Sequence, residues 1–254
     1  MNTVEVLVYD YHLRSYGIEL NVKVSKYYKK IINELINKAF SGEIGYPARI
    51  YINDYGMGCD CNFHLYGEVQ LMIPYNFYVQ VMKRFDKSLG NNIAGIDVNV
   101  DRINLVIINE DEKLLDKKTF RFSEVTSRGF PRKTAWSVIG QAIHECLRYA
   151  YHHGVSTIVL ENPKIIGYLK YFWIRNKEDR KHEKYNYKIS IFRNSIIERI
   201  SWKAPLYALQ VTYVSPKGTS SSKEHKEIMR KFGLDKHTVS AILIARKGIL
   251  KLSK

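Results

Sequence analysis

The chain is short of cysteine, short of proline, short of acids relative to bases, and free of long apolar runs. Three cysteines are too few for a disulfide framework, so stability must come from a packed core in a reducing compartment. No apolar stretch approaches the roughly 20 residues of a spanning helix, and no signal peptide opens the chain. No membrane partner and a cytosolic (cytoplasmic) protein are therefore expected. The deficit of acids is large: 25 Asp and Glu against 40 Lys and Arg, a formal net charge of +15. Such a surface attracts polyanions, which puts nucleic acid first among partners and an anionic membrane surface second.

What is present is enough for one large or two modest domains, since 254 residues can bury a proper core. Residues 1–90 read as a smaller α+β domain. Alternating apolar residues suggest two strands within Met1 to Val24, about a turn near Ser15-Tyr16-Gly17. Ser25 is placed as the N-cap of an amphipathic helix running to about Phe40. Short strands follow at Ala48 to Asn53, Asn62 to Tyr66 and Val69 to Ile73, with Gly56, Gly58 and Gly67 as turns, then a helix from Asn76 to Asp86. Cys59-Asp60-Cys61 with His64 lacks a second ligand pair at finger spacing, so no zinc is expected.

Residues 91–254 read as an α/β domain organised around Gly95 to Asn109. This stretch predicts a hairpin whose first strand carries Asp97 among apolar neighbours and whose second is nearly continuous in β-branched residues. A carboxylate on such a strand is costly unless it is paired or bound to a cation. Val155 to Leu160 is a further β-branched run, and it ends in Glu161. Asp235 stands at the mouth of a final helix, His237 to Leu250, with small residues on its inner face. Three acids at strand ends and a helix start can converge, and crowded carboxylates are usually relieved by hard divalent cations such as Mg²⁺ or Mn²⁺. The remaining elements are a third strand near Leu114 to Phe122, a helix from Thr134 to His153, a strand at Leu209 to Val214 and a basic helix from Lys223 to Phe232. His144 lies beside the buried stripe of the Thr134 helix and is assigned a structural role. Lys164 to Lys188, with Lys170 and Arg175, mixes cations that neutralise phosphates with aromatics that stack on bases; a solvated charged helix or loop reads equally well.

Gly95-Ile96-Asp97-Val98-Asn99, Ile158-Val159-Leu160-Glu161-Asn162 and Val214-Ser215-Pro216-Lys217-Gly218-Thr219-Ser220, followed by Asp235, Ala241 and Ala245, resemble the C-terminal half of TnpB/OrfB-type proteins of the insertion-sequence 200/605 group, from Asn92 onward. The resemblance implies a RuvC-like nuclease domain, related to that of type V CRISPR effectors: an RNase H-like mixed sheet flanked by helices. It further implies Asp97, Glu161 and Asp235 as catalytic metal ligands for Mg²⁺ or Mn²⁺, a DNA partner, and a guide RNA held partly by a reduced wedge-like N-terminal domain. Arg193, Lys217, Thr219 and Ser220 join Lys170 and Arg175 as nucleic-acid contacts on this reading. Two departures stand out: Ser221 to Gly233 holds no cysteine where many relatives carry a four-cysteine zinc module, and His237 replaces a second Asp. The expected activity is metal-dependent phosphodiester cleavage. The alternatives are a cleavage-inactive nucleic-acid-binding protein or repressor, and a strand-joining transposase.

Overall fold

The computed structural model describes residues 2–253 apart from 10, 11, 13, 14, 27, 58–62, 166–179 and 221. The chain forms two compact units, Met1–Met82 and Lys83–Lys254. Among the described residues, no helix is long and apolar enough to cross a membrane.

The first unit holds two antiparallel ribbons, β1 (Asn2–Tyr9) with β2 (Ser15–Val22) and β3 (Ala48–Met57) with β4 (Phe63–Leu71), and two helices, α1 (Lys29–Phe40) and α2 (Tyr75–Met82). Ile31, Leu35 and Phe77 form its buried core, with Leu71, Ile73 and Met82 packed around them. Several sequence expectations are corrected here, and Gly56 is one of them, since it lies inside β3 opposite His64 rather than at a turn. Ser15-Tyr16-Gly17 lies inside β2 rather than at a turn, because Tyr9 pairs with Ser15. Ser25 does not cap α1; its carbonyl accepts the Tyr28 N–H at 3.0 Å in a separate turn, and the helix starts four residues later. Gly67 is not a turn but an interior residue of β4 facing Ile52, where the register shifts. A Cβ there would lie 2.1 Å from the Tyr51 carbonyl oxygen, so the bulge requires glycine. Cys59, Asp60 and Cys61 lie outside the described residues.

The second unit is built on one five-stranded sheet, made of β5 (Asn92–Val98), β6 (Arg102–Ile108), β7 (Leu114–Arg121), β8 (Val155–Glu161) and β9 (Gln210–Val214). Its strand order is β7-β6-β5-β8-β9. The first three strands form an antiparallel meander, while β8 runs parallel to β5 and β9 parallel to β8. Its long helices among the described residues are α3 (Arg132–His152), α4 (Arg180–Lys203), α5 (Lys223–Phe232) and α6 (Lys236–Leu252). β5 and β6 are buried at every position but their first, as strands covered on both faces must be. This is a mixed sheet flanked by helices, an antiparallel meander extended by two parallel strands. Residues 83–90 belong to this unit: the Arg84 N–H donates to the Leu206 carbonyl at 2.7 Å, and Phe85 stacks on Tyr151 with ring centroids 3.7 Å apart.

One helix–strand contact sets the geometry. A Cβ at Gly95 would stand 2.1 Å from the Ala241 carbonyl and 2.8 Å from the Ala245 Cβ, and one at Gly248 would stand 2.3 Å from a Val159 methyl. The backbone of α6 therefore lies directly on β5, with small residues at four-residue spacing beneath it.

On α3, a stripe of Ile139, Ala142, Ile143, Cys146, Leu147 and Ala150 is buried. His144 beside it is half-buried between the Tyr207 hydroxyl, 2.9 Å from Nδ1, and Lys203 Nζ, 2.9 Å from Nε2. Burial first, then the charges of Lys203 and Arg84, push its pKa down to about 4.

Two predictions follow from this packing. Gly95→Ala is expected to destabilise the second unit by at least the ~1–3 kcal/mol of an overpacked core, read as a lowered denaturant midpoint. His144 stays neutral in the fold while the unfolded chain takes up its proton near the ordinary value of 6.5, so its contribution is present above that pH and lost progressively as pH falls toward 4. Melting curves between pH 7 and 4.5 should show a steeper fall for the natural chain than for His144→Gln.

Candidate active site

Asp97 shares a face of β5 with Gly95, two residues before it. On α6, His237 lies one turn ahead of Ala241, which in turn precedes Ala245 by one turn. The stripe that packs Gly95 therefore carries His237 to Asp97. The carboxylate is buried, with the residue 6% exposed. Its Oδ2 accepts from Asn99 Nδ2 at 3.0 Å and lies 3.0 Å from His237 Nδ1. Asn99 Nδ2 is also 3.1 Å from that ring nitrogen. A proton on Nδ1 suits this triangle best, because both nitrogens then donate to the anion.

Glu161 ends β8. Since Ile96 pairs with Leu160 in parallel register, Asp97 and Glu161 follow as neighbours at the C-terminal ends of adjacent strands, where open α/β sheets place their ligands. Glu161 is 5% exposed. Thr219, in the turn after β9, donates its hydroxyl to Glu161 Oε1 at 2.6 Å. Lys247 of α6 holds that turn by donating to the carbonyls of Ser215, at 3.1 Å, and Lys217. From α4, Arg193 Nη2 reaches Glu161 Oε2 at 2.5 Å and stands 3.5 Å from Asp97 Oδ1. One guanidinium thus offsets two buried carboxylates. Among the described residues its buried Nε finds no hydrogen-bond partner.

Asp235 plays a different local part, as the N-cap of α6. Its Oδ1 accepts from the N–H groups of His237 at 3.0 Å and Thr238 at 3.1 Å, and the Thr238 hydroxyl donates to Oδ2. Partial burial works to raise its pKa, but the bonds from Thr238 and His237 outweigh this and hold the carboxyl below its ordinary range. His237 links Asp235 to Asp97: its N–H donates to the first and its Nδ1 lies 3.0 Å from the second. Asp101, in the turn between β5 and β6, is partly buried and clamped by Arg102 at 3.0 Å and 2.5 Å.

The donor chemistry suits a hard divalent cation: Asp97, Glu161 and Asp235 offer carboxylate oxygens, each with lone pairs beyond those already engaged. A cation, the Arg193 guanidinium, already lies where the first two converge. Among the described residues, no three His, Cys, Asp or Glu side chains are grouped closely enough to enclose a metal ion as they stand.

Of the other residues selected from sequence, Lys217 and Ser220 are exposed. Thr219 is 1% exposed and faces Glu161, so its hydroxyl serves the acid rather than the surface. Lys170 and Arg175 lie outside the described residues. Sequence reasoning left Asn99 and His237 out of the site. Period-two spacing after Asp97 would have drawn in the first, and the stripe His237-Ala241-Ala245 the second.

No family model matches the chain. It is 44% identical over 230 residues to an uncharacterized protein of Aeropyrum pernix, covering 91% of this chain and 60% of that protein. It is 32% identical over 225 residues to an uncharacterized protein of Saccharolobus solfataricus, covering 88% and 56%. The chain therefore spans somewhat over half the length of these curated relatives. Among solved structures it is similar to T. thermophilus RuvC in complex with a Holliday junction substrate, with a TM-score of 0.43 and 14% identity over 64% of this chain and 96% of that one. It is also similar to a chain of a Cas12f1–sgRNA–target DNA complex, with a TM-score of 0.41 and 12% identity over 80% and 67%.

Because Asp235 is a cap as well as an acid, Asp235→Ala is expected to lower stability by about 0.5–2 kcal/mol while Asp235→Asn, still able to cap, stays near the natural value. Chemical denaturation of the two variants at neutral pH checks this. The charge-dependent part of the cap is present above the ordinary carboxylate pKa of 3.8 and lost as pH falls through the lower folded value.

Proposed function

We propose that this chain is a divalent-metal-dependent nuclease, TnpB-like, that hydrolyses phosphodiester bonds of DNA, with an RNA guide as the finer form of the same reading. The observation that carries it is the pair of buried carboxylates, Asp97 and Glu161, side by side at the C-terminal ends of β5 and β8. Few folds keep two acids there without a use, since each requires a compensating cation. The excess of 15 positive charges suits a polyanionic substrate, and the motifs that carry Asp97, Glu161 and Asp235 resemble those of TnpB/OrfB-type proteins.

Asp97 and Glu161 would hold the cation between them, with Asp235 completing the set from the start of α6. Bound Mg²⁺ or Mn²⁺ supplies a Lewis acid that lowers the pKa of an attacking water and stabilises the leaving oxygen. The protein's own residues aim the acids. His237 and Asn99 fix Asp97 through Oδ2 and leave Oδ1 facing the pair. Thr219 orients Glu161 from beneath. Arg193 offers a permanent positive charge for the scissile phosphate.

A second reading, a nucleic-acid-binding protein that does not cut, draws on the same contact: Arg193 lies against both acids and offsets part of their charge. The two separate cleanly. With Mg²⁺ and single- or double-stranded DNA, the natural chain should cut and Asp97→Ala should lose at least about a thousand-fold in rate, ~4 kcal/mol in barrier, with DNA affinity nearly unchanged. Cleavage that survives Asp97→Ala removes the assignment; binding without metal-dependent product on any substrate selects the non-cutting reading. A discrete RNA co-purifying with the protein and mapping beside its own gene would establish the guided form.

A further inference from the structure

Asp97 and Glu161 carry two negative charges into a setting where their side chains are 8% and 7% exposed. Arg193 stands between them and cannot be neutralised, because a guanidinium does not lose its proton in a protein. It does not make the two-pronged contact that Arg–carboxylate pairs favour. A single atom, Nη2, serves both acids, at 2.5 Å and 3.5 Å, while among the described residues the buried Nε has no hydrogen-bond partner. The guanidinium is therefore held by charge more than by geometry. It occupies the position where Asp97 Oδ1 and Glu161 Oε2 converge, which is where an ion bridging the two would lie. Asn99 and Thr219 are neutral donors to the opposite oxygens, Oδ2 and Oε1, and His237 meets Asp97 at Oδ2, so among these groups Arg193 is the permanent cation and the one that touches both acids.

We propose that Arg193 is the resident counter-ion of the Asp97–Glu161 pair and a direct competitor of the divalent cation: the guanidinium and the ion are mutually exclusive occupants, and metal enters by displacing Arg193 toward the phosphate of a bound strand. This rests on the reading of the acid pair as a metal site. It makes the site self-limiting. Without nucleic acid, the ion must outcompete a tethered cation. With nucleic acid, the displaced guanidinium gains a phosphate partner, so metal and strand each strengthen the binding of the other, and linkage requires the effect to be reciprocal.

The test is a titration of Mn²⁺ into the protein without nucleic acid, following free Mn²⁺ by its electron paramagnetic resonance signal, for the natural chain, Arg193→Gln, Arg193→Lys and Asp97→Asn. Arg193→Gln is expected to bind Mn²⁺ at least ten-fold more tightly than the natural chain. Arg193→Lys keeps the charge and should remain within about three-fold of it. Asp97→Asn should weaken binding ten-fold or more. If Arg193→Gln binds no more tightly than the natural chain while Asp97→Asn still weakens binding, the counter-ion inference is wrong and the metal site stands. If Asp97→Asn leaves Mn²⁺ binding unchanged, the metal reading fails and takes the inference with it. Should Arg193→Gln not fold, Arg193→Lys decides: a ten-fold tightening with charge retained would overturn competition by charge.

Discussion

Everything in the second unit depends on how closely α6 can approach β5. With no side chain at Gly95, the helix backbone comes down onto the central strand over Ala241 and Ala245, and Gly248 admits the Val159 methyls of the neighbouring strand. Contact this intimate leaves one register for the helix, because sliding it by a turn would drive a larger side chain into β5. The register matters at the helix start. It brings His237 within 3.0 Å of Asp97 and places Asp235 at the same end of the sheet. A packing constraint deep in the core thus becomes the placement of charged groups at the rim.

The acids are then stabilised in unlike ways. Asp97 and Glu161 are buried on strand ends and are met by specific donors: Asn99 and His237 on one side, Thr219 on another, Arg193 across the middle. Asp235 is satisfied by its own helix, whose first N–H groups it accepts. Two acids therefore need an external cation and the third does not. That asymmetry is what makes Arg193 the centre of the site electrostatically.

The strands and helices of residues 92–254 were largely legible because their periodicities are strong. The β-branched runs of β5, β6 and β8, and the stripe of α3, leave few alternatives. The first unit was harder. Gly67 carries the composition of a turn, but its role is to let Tyr51 approach across a bulged ribbon, which only the partner strand defines. Ser25 has the chemistry of a cap, yet an extra turn consumes the next residues before α1 begins. In both cases local preference was overruled by a contact that no local window contains.

By itself, the sequence determined an α/β second unit, the strand-end and helix-start positions of the acids and the strongly cationic character, because each is written in short-range spacing or in composition; the mixed order of the sheet was implied only by the resemblance to a known family. Only the tertiary structure decided that Asp97 and Glu161 are neighbours, that Arg193 bridges them, that Thr219 turns inward, and that His237 joins the site. Those facts depend on parallel register between strands separated by a long crossover and on the seating of one helix against a glycine. Distances of a few ångströms between residues far apart in the chain are set by packing, and packing is a property of the folded whole.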